Sequence, residues 1–230
     1  MIQLLMKRKS VRAFSDREIT QEERDAILES AIQAPTAGNQ VLYTILDITD
    51  QTIKEELAVS CDNQPFIARA PLVLIFLADC RRWLDCYTYA GEECRDPGVG
   101  DLILACEDAL IAAQNAVIAA ESMGIGSCYI GDILENKEKV VGMLDLDRFV
   151  FPVTMVVFGY PAEQQKTRKK PNRFDKKYIV QQNRYSPLDE DTLRAMHEEQ
   201  AGNSEYDFDT FMRAFCKRKY MSEFSREMTR

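Results

Sequence analysis

Arg8, Ser10 and Arg12 alternate in the segment "MKRKSVRAF", residues 6–14. Residues two apart in an extended chain point the same way, so this spacing sets two guanidinium groups and a hydroxyl on one side. Arginine presents a planar fork that grips phosphate through paired hydrogen bonds, and serine adds a neutral donor. The chemistry on offer is anion binding. A solvated run of charge is the other reading of the same residues. A second basic segment, "KTRKKPNRFDKK" (166–177), lies far along a chain whose net charge is −8.

Other chemistries find little material. His197 is the single histidine, in a charged helical segment, and reads as a surface residue. Without a second histidine, a His-based zinc site or a Ser–His–Asp triad is hard to build. No spacing singles out a catalytic pair among the 37 acidic residues. There is no GxxxxGK[ST] phosphate loop, and "GIGSCYIG" (124–131) has GxGxxxxG spacing late in the chain, which a tight turn also explains. The seven cysteines form no CxxC pair and read as reduced thiols of a cytoplasmic protein.

The bulk composition agrees. A pI near 4.9 argues against general nucleic-acid binding and against adsorption to anionic membranes. The apolar patch at the N-terminus precedes its cations, the reverse of a signal peptide. The most hydrophobic stretch, 102–120, carries Glu107, Asp108, Gln114 and Asn115, so no membrane span is expected.

The elements that must position the cations can be read from pattern. Residues 19–35 predict a helix, with Thr20 and Glu23 as a capping box, an apolar face of Ile27, Leu28 and Ala31, and Pro35 as its stop. "TAGNQ" follows as a loop. Strands are expected over 41–50 and 151–160, and a strand buried on both faces over 70–79. Shorter helices are expected at 52–61 and 137–146. Residues 81–100 read as a loop or mobile lid, with Trp83, Tyr87 and Tyr89 shaping the choice of substrate. The longest helix, 101–124, is apolar around nearly its whole circumference and needs cover on all sides, which points to a subunit interface. "IGSCYIGDI" (125–133) reads as a turn or short strand, and the last fifty or so residues as helical. The class is α+β or α/β with a terminal extension.

Four stretches in order resemble the FMN-dependent nitroreductase family: "RKSVRAF", "APTAGNQ", "GIGSCYIG" and "VFGYPAE" with its basic tail. "NQPFIARAPLVLIFLAD", "AQNAVIAAESMGIGSCYIG" and "KPNRFDKKYIVQQNRYSPLDEDTL" look like its NADPH-dependent nitroreductase/flavin oxidoreductase subgroup, which has a helical C-terminal extension. The resemblance implies an α+β fold: a central mixed, mostly antiparallel sheet flanked by helices, in an intertwined homodimer. It implies an FMN-binding domain over 1–175 and a helical extension over 176–230, packed on the same domain or on the partner subunit. The implied activity is ping-pong hydride transfer from NADPH or NADH, by way of FMN, to a nitroaromatic, a quinone or free flavin. Dehalogenation or flavin fragmentation on the same fold, or flavin binding without catalysis, are the alternatives.

Carried over by position, the resemblance puts Arg8, Ser10 and Arg12, with Lys9 adjacent, on the FMN phosphate and ribityl chain. Pro35, Thr36, Ala37 and Asn39 would lie under the flavin of the partner subunit. Gln64 would contact the flavin, and Gly126, Ser127, Tyr129, Ile130 and Gly131 would pack near its ring. Lys170 and Arg173 would close on the phosphate. One extra residue around "KPNRF" leaves Arg168 and Lys169 as further choices for the second cation. In this subgroup, arginines of the extension select NADPH. The corresponding segment here, "EEQAGNSEYDFD", is acidic and has none, so NADH or a different electron donor stays open.

Overall fold

The structure, a computed structural model, describes residues 1–202 and 205–229. The chain forms two compact units, Met1–Arg168 and Lys169–Arg230. In the first, the elements in order are α1 (Ile2–Lys7), α2 (Gln21–Ile32), β1 (Tyr43–Asp47), α3 (Gln51–Ser60), β2 (Leu72–Asp79), α4 (Arg81–Tyr89), α5 (Val99–Ser122), β3 (Gly126–Ile130), α6 (Lys137–Met143), β4 (Val150–Gly159) and α7 (Glu163–Thr167). Single 3-10 turns follow α2 at Ala37–Asn39 and β3 at Gly131–Leu134.

The four strands form one sheet in the order β1-β2-β4-β3, every pair antiparallel. A lone parallel bridge between Ser10 and Ser127 makes it mixed at the β3 edge. β2 is buried along its whole length, and its side chains alternate between two cores. Leu72, Leu74 and Phe76 join the alanine stripe of α5 and the inner face of α2. Val73, Ile75 and Leu77 join Leu57 of α3 and Val140 of α6. The unit is therefore three layers, helix–sheet–helix, as the fold expectation required.

Local chemistry explains the helix starts. Thr20 Oγ1 accepts the Glu23 amide at 3.2 Å, and Glu23 returns the contact to the Thr20 amide at 2.9 Å. Asp50 Oδ1 caps α3 by accepting the amides of Thr52 (2.7 Å) and Ile53 (3.2 Å).

Two expectations are corrected. Residues 81–89 are not a loop but α4. Asp79 Oδ1 accepts the amides of Arg81 (3.0 Å) and Arg82 (3.2 Å), which starts the helix. Trp83 and Tyr87 then meet one turn apart, their rings tilted by 44° with centroids at 5.9 Å. Only 92–98 is irregular.

The second correction concerns His197. The second unit holds α8 (Lys176–Ile179), α9 (Glu190–Ala201), α10 (Phe208–Lys219) and α11 (Glu223–Met228). In it His197 is half-buried, ringed by Phe174, Phe208 and Phe211 at centroid distances of 5.0, 5.6 and 6.5 Å. Burial lowers its pKa. Glu198 and Glu199, next in sequence, are exposed, while the imidazole faces the phenyl rings.

By length and composition α5 could cross a membrane. Its face of Ala105, Ala109, Ala112, Ala113, Ala116 and Ala120 packs instead into the cores. Leu102, Ile103, Leu104, Leu110 and Ile111 on the same helix are 37–55% exposed, so the all-round cover expected of it is absent from this chain alone.

Candidate functional site

The cationic segment is extended and lies across the ends of β3 and β4. The Val11 amide donates to the Ser127 carbonyl at 2.9 Å, Ser15 to Tyr160 at 2.8 Å, and Ala162 back to Ala13 at 3.0 Å. Glycine permits this approach. A Cβ on Gly126 would lie 2.5 Å from Val11 Cγ2, and one on Gly159 would lie 2.5 Å from Phe14 Cδ1. Val11 fills the space over Gly126 and is 3% exposed. Its neighbours Ser10 and Arg12 take the other side, as the alternation predicted.

Arg8, Ser10 and Arg12 meet β3 there. Burial pushes the Cys128 thiol up, and Arg12, Ser10 and Arg8 pull against it. Burial likewise pushes Tyr129 up to about 12, opposed by Arg8, while its hydroxyl donates to Gln114 Oε1 of α5 at 3.2 Å. Two buried polar atoms at this edge, Arg8 Nη1 and Ser127 Oγ, have no hydrogen-bond partner. Unsatisfied buried groups of this kind are rare and point to a ligand or a strained site.

Gln64 reaches the turn that follows β3. Its Nε2 donates to Asp132 Oδ2 at 2.6 Å and to the Cys61 carbonyl at 2.9 Å. Asp132 adjoins Gly131, so Gln64 and the glycine turn form one wall. Sequence reasoning missed Asp132; an acid directly after the last glycine of "GIGSCYIG" was its one signal.

The small-residue loop is organised from α5. Asp108, 3% exposed, accepts the Thr36 hydroxyl, the Ala37 amide at 3.1 Å and the Leu42 amide at 3.2 Å. Thr36 Oγ1 also accepts the Val41 amide at 2.8 Å. The loop holds Asn39 and Val41 at φ of 57° and 52°, a region disfavoured for non-glycine residues, above all β-branched ones. Asp108 was missed as well, although the acidic pair Glu107–Asp108 in an alanine-rich helix was a visible anomaly. Next to this loop, Gln40, Trp83, Tyr87 and Leu104 line a cavity of about 280 Å³, and the Gln40 carbonyl accepts the Trp83 indole N–H at 2.8 Å.

Other residues named from the sequence lie differently. Lys9 Nζ donates to the carbonyls of Lys166 (2.9 Å) and Arg168 (2.5 Å), so its charge closes a backbone turn. Lys170 and Arg173 belong to the second unit. Of the acidic segment 198–209, Asn203 and Ser204 lie outside the described residues. No group of three or more His, Cys, Asp or Glu side chains suited to a metal occurs among the described residues.

Comparison with known proteins bears on this arrangement. The sequence model of the Nitroreductase family matches residues 5–160. The chain is 34% identical over 202 residues to an oxygen-insensitive NADPH nitroreductase of Salmonella typhimurium, covering 86% of this chain and 80% of that protein. It is 32% identical over 195 residues to an FMN reductase [NAD(P)H] of Bacillus subtilis, covering 82% and 76%. The solved structure of the NfrA1 nitroreductase from B. subtilis superposes with a TM-score of 0.81 at 30% identity, over 99% of this chain and 97% of that one.

Proposed function

The chain belongs to the nitroreductase family, and from that premise we propose that it is an FMN-dependent NAD(P)H oxidoreductase acting on nitroaromatics, quinones or free flavin. The observation that carries the reading is the edge of β3. There Arg8 Nη1 and Ser127 Oγ are buried without partners beside Ser10 and Arg12. Guanidinium forks and hydroxyls suit a phosphate and a polyol chain, so the residues present fit FMN. Arg8, Ser10 and Arg12 would hold the phosphate and ribityl end, while Lys9 shapes the wall by holding the 166–168 turn. Ser127, Tyr129, Ile130, Gly126 and Gly131 would line the ring with Gln64.

When bound, FMN supplies the redox chemistry, taking hydride from NADPH or NADH and passing electrons to the acceptor in a ping-pong cycle. The protein's part is to bind, orient and exclude water. No titratable side chain here is required to move a proton, which accounts for the missing acid–base pair.

We further infer a homodimer, in which a second copy covers the exposed apolar face of α5 and brings its Pro35–Asn39 loop beneath the flavin. Residues 1–175 would form the FMN-binding domain and 176–230 a helical extension. All seven cysteines are free, which suits a reducing cytoplasm. Spectroscopy tests the function. The purified protein should carry or take up FMN, and NADPH or NADH should bleach the flavin band anaerobically. A protein that stays colourless after FMN is added, or whose flavin neither nucleotide reduces, overturns the reading.

A further inference from the structure

The side-chain amide of Gln64 is locked in one orientation. Its Nε2 donates to Asp132 Oδ2 at 2.6 Å and to the Cys61 carbonyl at 2.9 Å, so both of its hydrogens are used. A carboxylate and a carbonyl are both acceptors. Turning the amide over would set its oxygen against two other oxygens and lose both bonds.

The backbone is held as firmly. Asp62 and Asn63 take φ of 60° and 51°, and the chain doubles back so that the Gln64 amide donates to the Ala58 carbonyl at 2.8 Å. The Gln64 carbonyl accepts the Ile67 amide at 3.0 Å. What remains of this half-buried residue is its side-chain oxygen, and Oε1 accepts no hydrogen bond among the described residues.

No cation accounts for the carboxylate that holds the amide. Asp132 makes no ion pair among the described residues. It acts instead on the Glu135 carboxyl and the Cys61 thiol, each pushed up by burial first, with Asp132 adding to the effect. Its side chain reaches a partner of opposite polarity in the Gln64 amide.

We propose that Asp132 is a positioning residue that sets the polarity of the Gln64 amide, so that this wall offers a bound ring a hydrogen-bond acceptor and not a donor. The identity of the ring rests on the flavin reading; the role of Asp132 is new to it. An oxidised flavin ring carries one N–H, at N3. Its two carbonyl oxygens and its other ring nitrogens only accept. The group that suits Gln64 Oε1 is therefore N3–H. A flipped amide would present N–H groups and suit the flanking carbonyl oxygens instead. Asp132 thus decides which part of the ring edge this wall recognises without touching the ring itself.

The test compares FMN with 3-methyl-FMN, in which a methyl group replaces that hydrogen. Dissociation constants for both are measured on full-length wild type and Asp132→Ala. Wild type should prefer FMN roughly tenfold, as the loss of one hydrogen bond to a buried acceptor implies. In Asp132→Ala, where Gln64 is present but free to turn, that preference should largely disappear. A preference of the same size in the variant, or none in wild type, overturns the proposal. A second arm needs no flavin. Gln64→Glu sets a second carboxylate against Asp132 and should lower the melting temperature of the flavin-free protein. Adding Asp132→Asn restores a donor facing an acceptor and should recover part of the loss, since the two sites touch. A double variant that melts where the two single changes sum overturns the proposal as well. If wild type takes up no flavin, the function reading fails, while this arm still decides whether Asp132 orients Gln64.

Discussion

The Asp108 carboxylate, buried in the middle of α5, accepts the backbone amide of Ala37 at 3.1 Å. With the Thr36 hydroxyl and the Leu42 amide on the same carboxylate, one side chain fixes both ends of a loop that carries Asn39 and Val41 in the left-handed region. Asp108→Ala should therefore strand buried donors as well as remove bonds, and cost about 3 kcal/mol of stability. Asp108→Asn keeps one acceptor oxygen and should cost less. Urea unfolding of both variants checks the order; equal costs would mean that the carboxylate is not what holds the loop.

Gly126→Ala should force the cationic segment away from β3, because its Cβ would meet Val11 Cγ2 at 2.5 Å. Overpacking of this kind costs about 1–3 kcal/mol. Trimming the partner with Val11→Ala should recover part of the loss in the double variant, since the two sites touch. A fully additive double variant would show that the close approach is not the cause.

Arg8 carries an unpartnered buried nitrogen, which gives its removal a signature of its own. Arg8→Met should leave the flavin-free protein as stable as wild type or more so, while weakening FMN. Arg12→Ala should weaken FMN by about 1.5–3 kcal/mol, the range for a charged hydrogen bond. Flavin titrations and thermal melts decide both, and unchanged affinity removes the residue from the site.

Acid should loosen the start of α5. The Arg95 hydrogen bond, with the Gly98 amide second, holds the Asp101 carboxyl down to about 2 from its ordinary 3.8. A depressed carboxylate contributes stability above its unfolded pKa, and that contribution is lost as pH falls through the folded value. The window is therefore about pH 4 to 2. The Asp101 side chain is 36% exposed, so solvent screening limits the effect to about 0.5–1 kcal/mol. The stability gap between wild type and Asp101→Asn should close across that window; a gap constant with pH argues against the ion pair.

Leu110 is 45% exposed on the apolar outer face of α5. If a second copy covers it, Leu110→Asp should convert a dimer to a monomer in sedimentation velocity and reduce bound FMN. A dimer that survives the change would place the interface elsewhere.

The sequence carried the frame of this protein well. β2 was legible because seven apolar residues in a row, Leu72–Ala78, suit a strand buried on both faces, and the Thr20–Glu23 box marked its helix without help from tertiary structure. The alternation of Arg8, Ser10 and Arg12 survived because it needs only an extended backbone. What was not legible depends on distant partners. α4 starts on Asp79, which a local reading assigns to the end of a strand. Asp108 read only as one of the polar residues that argue against a membrane span, because the loop it holds lies 66 residues away in sequence. His197 read as a surface residue because the phenyl rings around it arrive from 174, 208 and 211.

The Lys9 ammonium closes on carbonyls 157 and 159 positions along the chain, and Ser10 pairs with Ser127. During synthesis the arginine strand therefore leaves the ribosome long before anything it can lie upon. At roughly 5–20 residues per second, about 6–23 seconds separate Ser10 from Ser127. For that interval Arg8, Ser10 and Arg12, the residues proposed to hold the phosphate, are a free basic thread. On the proposed reading, cofactor loading waits for β3 and β4, and a nascent chain halted before them would carry the proposed FMN ligands without the surface that arranges them.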